Sequence, residues 1–588
     1  MGGRRETTEA FARLDDELCT WPAEPRLYTR GNGADQWPNP LTPLTQTAVA
    51  APQIAALPFT FTQRLRLIEG VPPEDCAGIF YGYVAVGLEP TLRMADVMPG
   101  WSAQAVGEQY FGLPPDPAWS APPTRTKRTQ VAGVMVRVLR ESRRYPRAAT
   151  RFERDARKRW DEARNRDWRS AADAELVAEF DWHAANAMVQ RVPLLVANMV
   201  AAAGYEQLVT LATRWAGAAG PELAARAVSG IGGIQTSDAI GALDDVVAGR
   251  LTREAWVARY GFRGPVEYEL ASHPWGEDEA YVTTLLDQAR DRGRDAATEA
   301  DPSESTVRAV GARKELARRA GVRRRPMLAL VLRNVERHLR WRENAKVHEV
   351  LAIARLRLAA RESATRLFER GGIDAADDGF FLTVDELTSD IALATPPDRR
   401  AEVSGRRAVN AAAQAIDLPE LFLAEPGGLG GVPPERIRAL GLIPPMKDAP
   451  TKDASTKDAA PTGDRVLRGI GVSPGQATAP VQVVTDPYAP GLEPGEVLVA
   501  HTTDPAWTPL FLTASAVVID LGGPLSHGAV IARELGIPCV INVKHASTQL
   551  ASGEVVTVDG TAGEVYPQPG SAAQKLLPPS TLTSAPLT

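Results

Sequence analysis

Cysteine is almost absent from this chain. Cys19, Cys76 and Cys539 are too few and too far apart for a disulfide framework or a zinc cluster, and they predict a reducing compartment. Lysine is nearly as scarce, at nine of the 66 basic residues, the remainder being arginine. No Gly-Lys pair occurs anywhere, so there is no Walker A loop. No apolar run has the length of a membrane span; the most apolar stretch, 192–204, is short and carries Pro193 and Asn198. The first residues, MGGRRETTEAFARLDDELC, lack the apolar core of a secretory signal. A formal net charge of −6 argues against nucleic acid as a partner. The expectation is a cytoplasmic protein with neither membrane nor nucleic-acid contacts.

The 588 residues are too many for one core and predict two to four domains. One boundary stands out. Residues 444–463, PPMKDAPTKDASTKDAAPTG, repeat Lys-Asp-Ala with almost nothing to bury, the composition of a flexible tether. The chain therefore divides into a tail at 1–24, a large domain at 25–443, the linker, a small domain at 464–567 and a Pro/Ser/Ala-rich tail at 568–588. Upstream, 171–218 and 326–370 carry apolar positions at helical spacing. From Met327 to Arg370 there is neither Gly nor Pro, which predicts one very long helix or a kinked pair. A strand-containing piece is expected within 58–95. Arginine-rich 121–170 and 307–342 read first as solvated helix faces.

Downstream the period changes. β-rich runs at 480–485, 496–501, 516–520, 538–543 and 554–558 are separated by turn residues, with a single prominent helix from Ser526 to Leu535. The run Ala516–Asp520 is apolar and β-branched, as in a strand buried on both faces. Gly522 and Gly523 allow a tight turn beside a ligand, and Ser526 is a suitable N-cap. His527 then falls in the first helical turn, where unpaired backbone N–H groups and the helix dipole favour a phosphate dianion. The same field disfavours imidazolium and keeps the ring nucleophilic. A histidine there can accept a phosphoryl group, with Gly522, Gly523, Ser526 and Gly528 as the phosphate-binding set.

The stretch Gly522-Gly523 with Ser526-His527-Gly528 resembles the swivelling phosphohistidine domain of phosphoenolpyruvate-utilizing enzymes. So do Ser473-Pro474-Gly475, Thr503-Asp504-Pro505-Ala506-Trp507-Thr508-Pro509-Leu510, Ala532-Arg533-Glu534, Gly536-Ile537-Pro538 and Asp559-Gly560, in order over about 464–567. Ala479, where a glycine is expected, is a departure that touches backbone fit. The resemblance implies that His527 is the phosphorylated residue. Upstream, Thr29-Arg30-Gly31-Asn32, Pro38 to Thr45, Tyr260 to Pro265, Trp275 to Asp278, Arg342 to Lys346 and Asp378 to Thr383 resemble the substrate-binding domain of rifampin phosphotransferase-like proteins. The implied fold class is multidomain, a large, mainly α-helical substrate-binding domain followed by a small α/β swivelling phosphohistidine domain.

Arg342 and Lys346 lie four apart on a helix and share a face, with Glu343 beside them. Two cations can clamp a transferring phosphoryl group, and a carboxylate can take the proton of an attacking hydroxyl. The resemblance assigns these three to catalysis at the acceptor site. Arg263, Trp275 and Glu277 are candidates to line the substrate pocket, with structural roles equally open. Gly230-Ile231-Gly232-Gly233 has no strand leading into it, and Thr236 or Ser237 capping a helix is the better account. Asp377-Asp378 has nothing to complete a metal site, so no metal site is expected. Nothing in the sequence resembles the ATP-grasp nucleotide-binding domain of the similar enzymes. The expected scheme is a phosphotransferase component binding no cofactor itself. A separately encoded ATP-grasp partner carrying ATP and Mg2+ charges it, and it passes the phosphoryl group to a small hydroxylated organic substrate. A regulatory binding protein that kept the fold, and a phosphoenolpyruvate-dependent phosphotransferase, are the alternatives.

Overall fold

The computed structural model describes residues 18–568 apart from 31–32, 34–35, 96, 99–127, 230, 232–234, 296–301, 417, 419–420, 431–465, 486, 488–490, 504–506, 524–525 and 544. The predicted linker and the C-terminal tail beyond Gln568 lie outside the described residues.

The upstream domain begins with strands β1 (Arg26–Thr29), β2 (Ala77–Phe80) and β3 (Tyr83–Gly87). Helices follow: α1 (Arg128–Arg164), α2 (Asp173–Ala216), α3 (Gly220–Ala227), α4 (Gln235–Val247), α5 (Arg253–Tyr260), α6 (Glu279–Asp295), α7 (Pro302–Ala320), α8 (Arg325–Glu369), α9 (Val384–Ile391) and α10 (Arg400–Ile416). Strands β4 (Leu421–Glu425) and β5 (Gly428–Gly430) close the domain. The breaker-free stretch after Pro326 is indeed one helix, α8, of 45 residues, about 68 Å at 1.5 Å per residue. Gly371, at φ 82°, ends it in the left-handed conformation that glycine adopts without strain. Helix α2 runs through Pro193 without breaking because it packs along α8. The segment Asp173–Ala227 is long and apolar enough to cross a membrane, yet its most apolar window is 61% buried inside the protein. Its apolarity serves the core.

Sequence-distant ends meet in the five-stranded sheet β2-β3-β1-β4-β5, where Tyr28 pairs with Phe422. One expectation is corrected here. Residues 18–24 are not part of a tail: the Thr20 N–H donates to the Ile79 carbonyl (2.7 Å), and Trp21 packs on Phe80. Within 58–95 the expected strands are β2 and β3, and Phe61 and Leu65 before them enter a core of their own.

The downstream domain contains β6 (Leu467–Arg468), β7 (Ile470–Ser473), β8 (Gln476–Val483), β9 (Val497–Ala500), α11 (Thr508–Thr513), β10 (Ala516–Ile519), α12 (His527–Leu535), β11 (Cys539–Ile541), β12 (Val555–Asp559) and β13 (Glu564–Pro567). They form a sheet of order β6-β13-β12-β8-β9-β10-β11-β7. Strand β10 lies parallel to β9 and β11, with Val517 and Ile519 in one core and Ala516 and Val518 in the other. That is the two-sided burial its composition predicted. β6, β7, β13, α11 and a short helix at Ala546–Gln549 go beyond the predicted elements.

The two domains touch. Helix α12 packs against α7, and Leu512 of α11 packs against the Trp256–Trp275 core of the helical domain. Glu534 accepts a hydrogen bond from the Ile231 N–H (3.2 Å), and the Ile231 carbonyl accepts one from Arg340 (3.0 Å). Ile231 thus links α8 to α12. Helix α4 already begins at Gln235, so neither Thr236 nor Ser237 is its N-cap.

Candidate active site

His527 opens α12 at the carboxyl edge of the parallel strands, where ligands of such sheets gather. Ser526 is the N-cap, its hydroxyl accepting from the Ala529 N–H (3.4 Å). The Ser526 N–H donates to the Gly523 carbonyl (2.8 Å), closing the turn. A Cβ on Gly528 would sit 2.5 Å from the Thr503 hydroxyl oxygen and 2.6 Å from the Ile519 side chain. Close packing of α12 onto β10 therefore demands glycine there. The His527 ring is buried, and its Nε2 lies 3.2 Å from the Thr508 hydroxyl. Burial first, then the positive charges of Lys346, Arg263 and Arg342, push His527 down to about 3, against the opposing pull of Glu343. The imidazole is neutral at physiological pH.

Every one of those charged groups comes from the helical domain. Arg342, Glu343 and Lys346 project from the middle of α8, and Arg342 Nη2 lies 3.3 Å from Glu343 Oε1 with both side chains buried. Burial raises the Glu343 carboxyl, but Lys346, Arg342, His527 and Arg263 together outweigh it and hold the group below its ordinary value. An ionised carboxylate, two cations and a neutral imidazole thus share one interdomain site. Arg263 belongs to it by charge, while its guanidinium makes a buried two-point pair with Glu267 at 2.7 and 3.2 Å.

Trp275 and Glu277 are engaged otherwise. Trp275 stacks on Trp256 at 5.8 Å in a core, and its backbone N–H donates to the Arg263 carbonyl (2.6 Å), so it supports Arg263 from behind. Glu277 is bound by Arg357 (3.0 Å) and Arg361 (2.8 Å). Asp378 pairs with Arg407 (2.7 Å), and no group of three metal-type side chains occurs among the described residues.

Sequence reasoning assigned no role to Thr508, although it quoted the segment. It missed Glu349 altogether. Glu349 lies one turn beyond Lys346 on the same face of α8, buried with Arg191 (2.9 Å) and the Tyr268 hydroxyl (2.8 Å). The i, i+4, i+7 spacing of Arg342, Lys346 and Glu349 was the available signal.

Two family descriptions match. The PEP-utilising enzyme mobile domain covers residues 492–563, around His527, and the rifampicin phosphotransferase fourth domain covers 235–343, ending on Arg342 and Glu343. The C-terminal unit thus matches the mobile domain of the phosphoenolpyruvate-utilizing enzymes over most of its length. A rifampicin phosphotransferase from Streptomyces is 29% identical over 318 residues, 53% of this chain and 34% of that protein. An uncharacterized protein of Mycobacterium tuberculosis is 33% identical over 308 residues, 52% of this chain and 30% of that protein. The phosphoenolpyruvate synthase of Aeropyrum pernix is 45% identical over 108 residues, 18% of this chain and 13% of that protein. The chain spans about a third of these relatives' length or less.

Proposed function

We propose that this chain is the carrier and acceptor part of a phosphotransferase. His527 takes up a phosphoryl group, and the mobile domain presents it to a hydroxyl of a small organic molecule bound beside Arg342, Glu343 and Lys346. The observation that carries this reading is the convergence of α8 charges on the neutral His527 ring. In the transfer, a bond forms from the acceptor oxygen to phosphorus and the P–N bond to His527 breaks. The hydroxyl proton passes to Glu343, and the second ring nitrogen carries a proton, so neutral imidazole leaves. Lys346 and Arg342 offset the charge on the phosphoryl oxygens, the main requirement of phosphoryl transfer. The backbone N–H groups at the start of α12 hold the phosphohistidine dianion. ATP and Mg2+ are assigned to a separately encoded ATP-grasp partner, where they supply the phosphoryl group.

The test combines the full chain, that partner and labelled ATP, with labelled phosphoenolpyruvate in parallel. Acid-labile label on wild type and none on His527→Ala supports the reading. Label from phosphoenolpyruvate alone assigns the other donor. Equal labelling of both proteins, or of neither with any nucleotide or phosphoenolpyruvate, overturns the carrier role and favours a regulatory binding protein.

A further inference from the structure

Helix α12 meets the helical domain at both ends. His527 opens it among the charges of Arg263, Arg342 and Lys346, and Glu534 stands seven residues further, about 10 Å along the axis. There the Glu534 carboxylate accepts the Ile231 N–H (3.2 Å), and the Ile231 carbonyl accepts from Arg340 Nη2 (3.0 Å). Arg340 precedes Arg342 by two residues on α8. Ile231 therefore ties the carboxyl end of α12 to the helix that carries the transfer residues.

The same end meets α7. Gly536 closes α12 in the left-handed conformation, at φ 72°, and a Cβ there would lie 2.1 Å from Arg308 Nη2. The Arg308 guanidinium thus sits against the last turn, where the helix dipole favours a cation. Arg533, beside Glu534, is buried within electrostatic reach of Tyr205 on α2 and of Arg342.

These contacts exist only while the mobile domain rests on the helical domain. His527 is buried in that position, so a donor on another protein reaches the ring after α12 has lifted away. The contacts of 534–536 are then broken for charging and remade for transfer. A helix held only at its amino end can pivot about His527. Phosphoryl transfer depends on in-line placement, and a misplacement of about 1 Å costs on the order of 100-fold in rate.

We propose that Glu534 is a positioning residue: through Ile231 and Arg340 it docks α12 on the acceptor domain and aligns His527 for transfer, with no part in charging. The alignment role rests on the carrier reading given above; the docking role does not. Ile231 presents a backbone N–H, so Glu534 supplies only an acceptor oxygen there. Glutamine keeps that oxygen and alanine removes it.

Two measurements on the full chain test this. Spin labels at the exposed positions Arg323→Cys and Thr548→Cys, in a Cys19→Ser background, report the interdomain distance by pulsed electron paramagnetic resonance without any phosphoryl chemistry. The parent and Glu534→Gln should give one narrow distance, and Glu534→Ala a broad distribution. Single turnovers then use the ATP-grasp partner, labelled ATP and a fractionated pool of hydroxylated small molecules. Glu534→Ala should charge at the wild-type rate or faster and pass label on about tenfold more slowly, with Glu534→Gln close to wild type. An undisturbed distance in Glu534→Ala, slowed charging, wild-type transfer or no rescue by glutamine overturns the proposal. Should wild type neither charge nor pass label on, the carrier reading fails, and the distance measurement alone decides the docking role.

Discussion

The Thr508 hydroxyl meets Nε2 of His527 at 3.2 Å inside the buried interface. It fixes the ring on the side facing α11. Thr508→Val keeps the shape and removes the hydrogen bond, worth about 1 kcal/mol. Charging of His527 should slow about fivefold and recover in Thr508→Ser. The rate at which acid-labile label appears measures it, and an unchanged rate in the valine variant would show that Thr508 only packs.

Buried histidines make stability depend on pH. Burial is the leading cause that lowers His183, His338 and His348 to about 4 and His527 to about 3, from 6.5. Between pH 6.5 and about 4 the unfolded chain takes up protons that the folded protein refuses. Stability therefore falls as pH drops through that window, by a few kcal/mol for each histidine. Urea midpoints should be markedly lower at pH 5 than at pH 7, and less so in His183→Phe. Equal midpoints at both pH values would contradict these environments.

Gly528 has no room for a methyl group against Thr503 and Ile519. Gly528→Ala should destabilise the mobile domain by about 1–3 kcal/mol, the usual range for overpacking. Thr503→Ala in the same chain should recover part of the loss. Thermal melting checks both, and wild-type melting of Gly528→Ala would refute the packing account.

Arg263 and Glu267 are each about 4% exposed. Removing Glu267 takes the two-point partner from a buried guanidinium, at a cost of about 3–5 kcal/mol. Glu267→Ala should lose that much in denaturant titration, and a loss below about 1 kcal/mol would mean that solvent reaches Arg263.

Local chemistry was legible in the sequence, and long-range pairing was not. Neither Gly nor Pro interrupts Met327–Arg370, so α8 could be predicted almost to its ends. A continuous apolar, β-branched run made β10 equally plain, and the N-cap Ser526 fixed where α12 begins. By contrast, β1 pairs with β4 across almost 400 residues, a contact that no periodicity encodes. The same holds at the site. His527 and the Arg342–Lys346 group could each be singled out locally, but their meeting depends on docking of α12 and α11 against the helical domain. The side-chain types of Trp275 and Glu277 suit a pocket or a structural role equally, and the fold engages them in a stacked core and an ion-pair cluster.

The most direct test of the relay is a chase from the charged carrier. Protein labelled on His527 is freed of donor and mixed with a fractionated pool of hydroxylated small molecules, and loss of label is followed for wild type and Lys346→Ala. Both proteins should charge equally. Wild type should then pass label to an acid-stable phosphoester, and Lys346→Ala should do so at least a hundredfold more slowly. Failure of Lys346→Ala to charge, or equal transfer by both proteins, would contradict the assignment of the α8 cluster to the acceptor step.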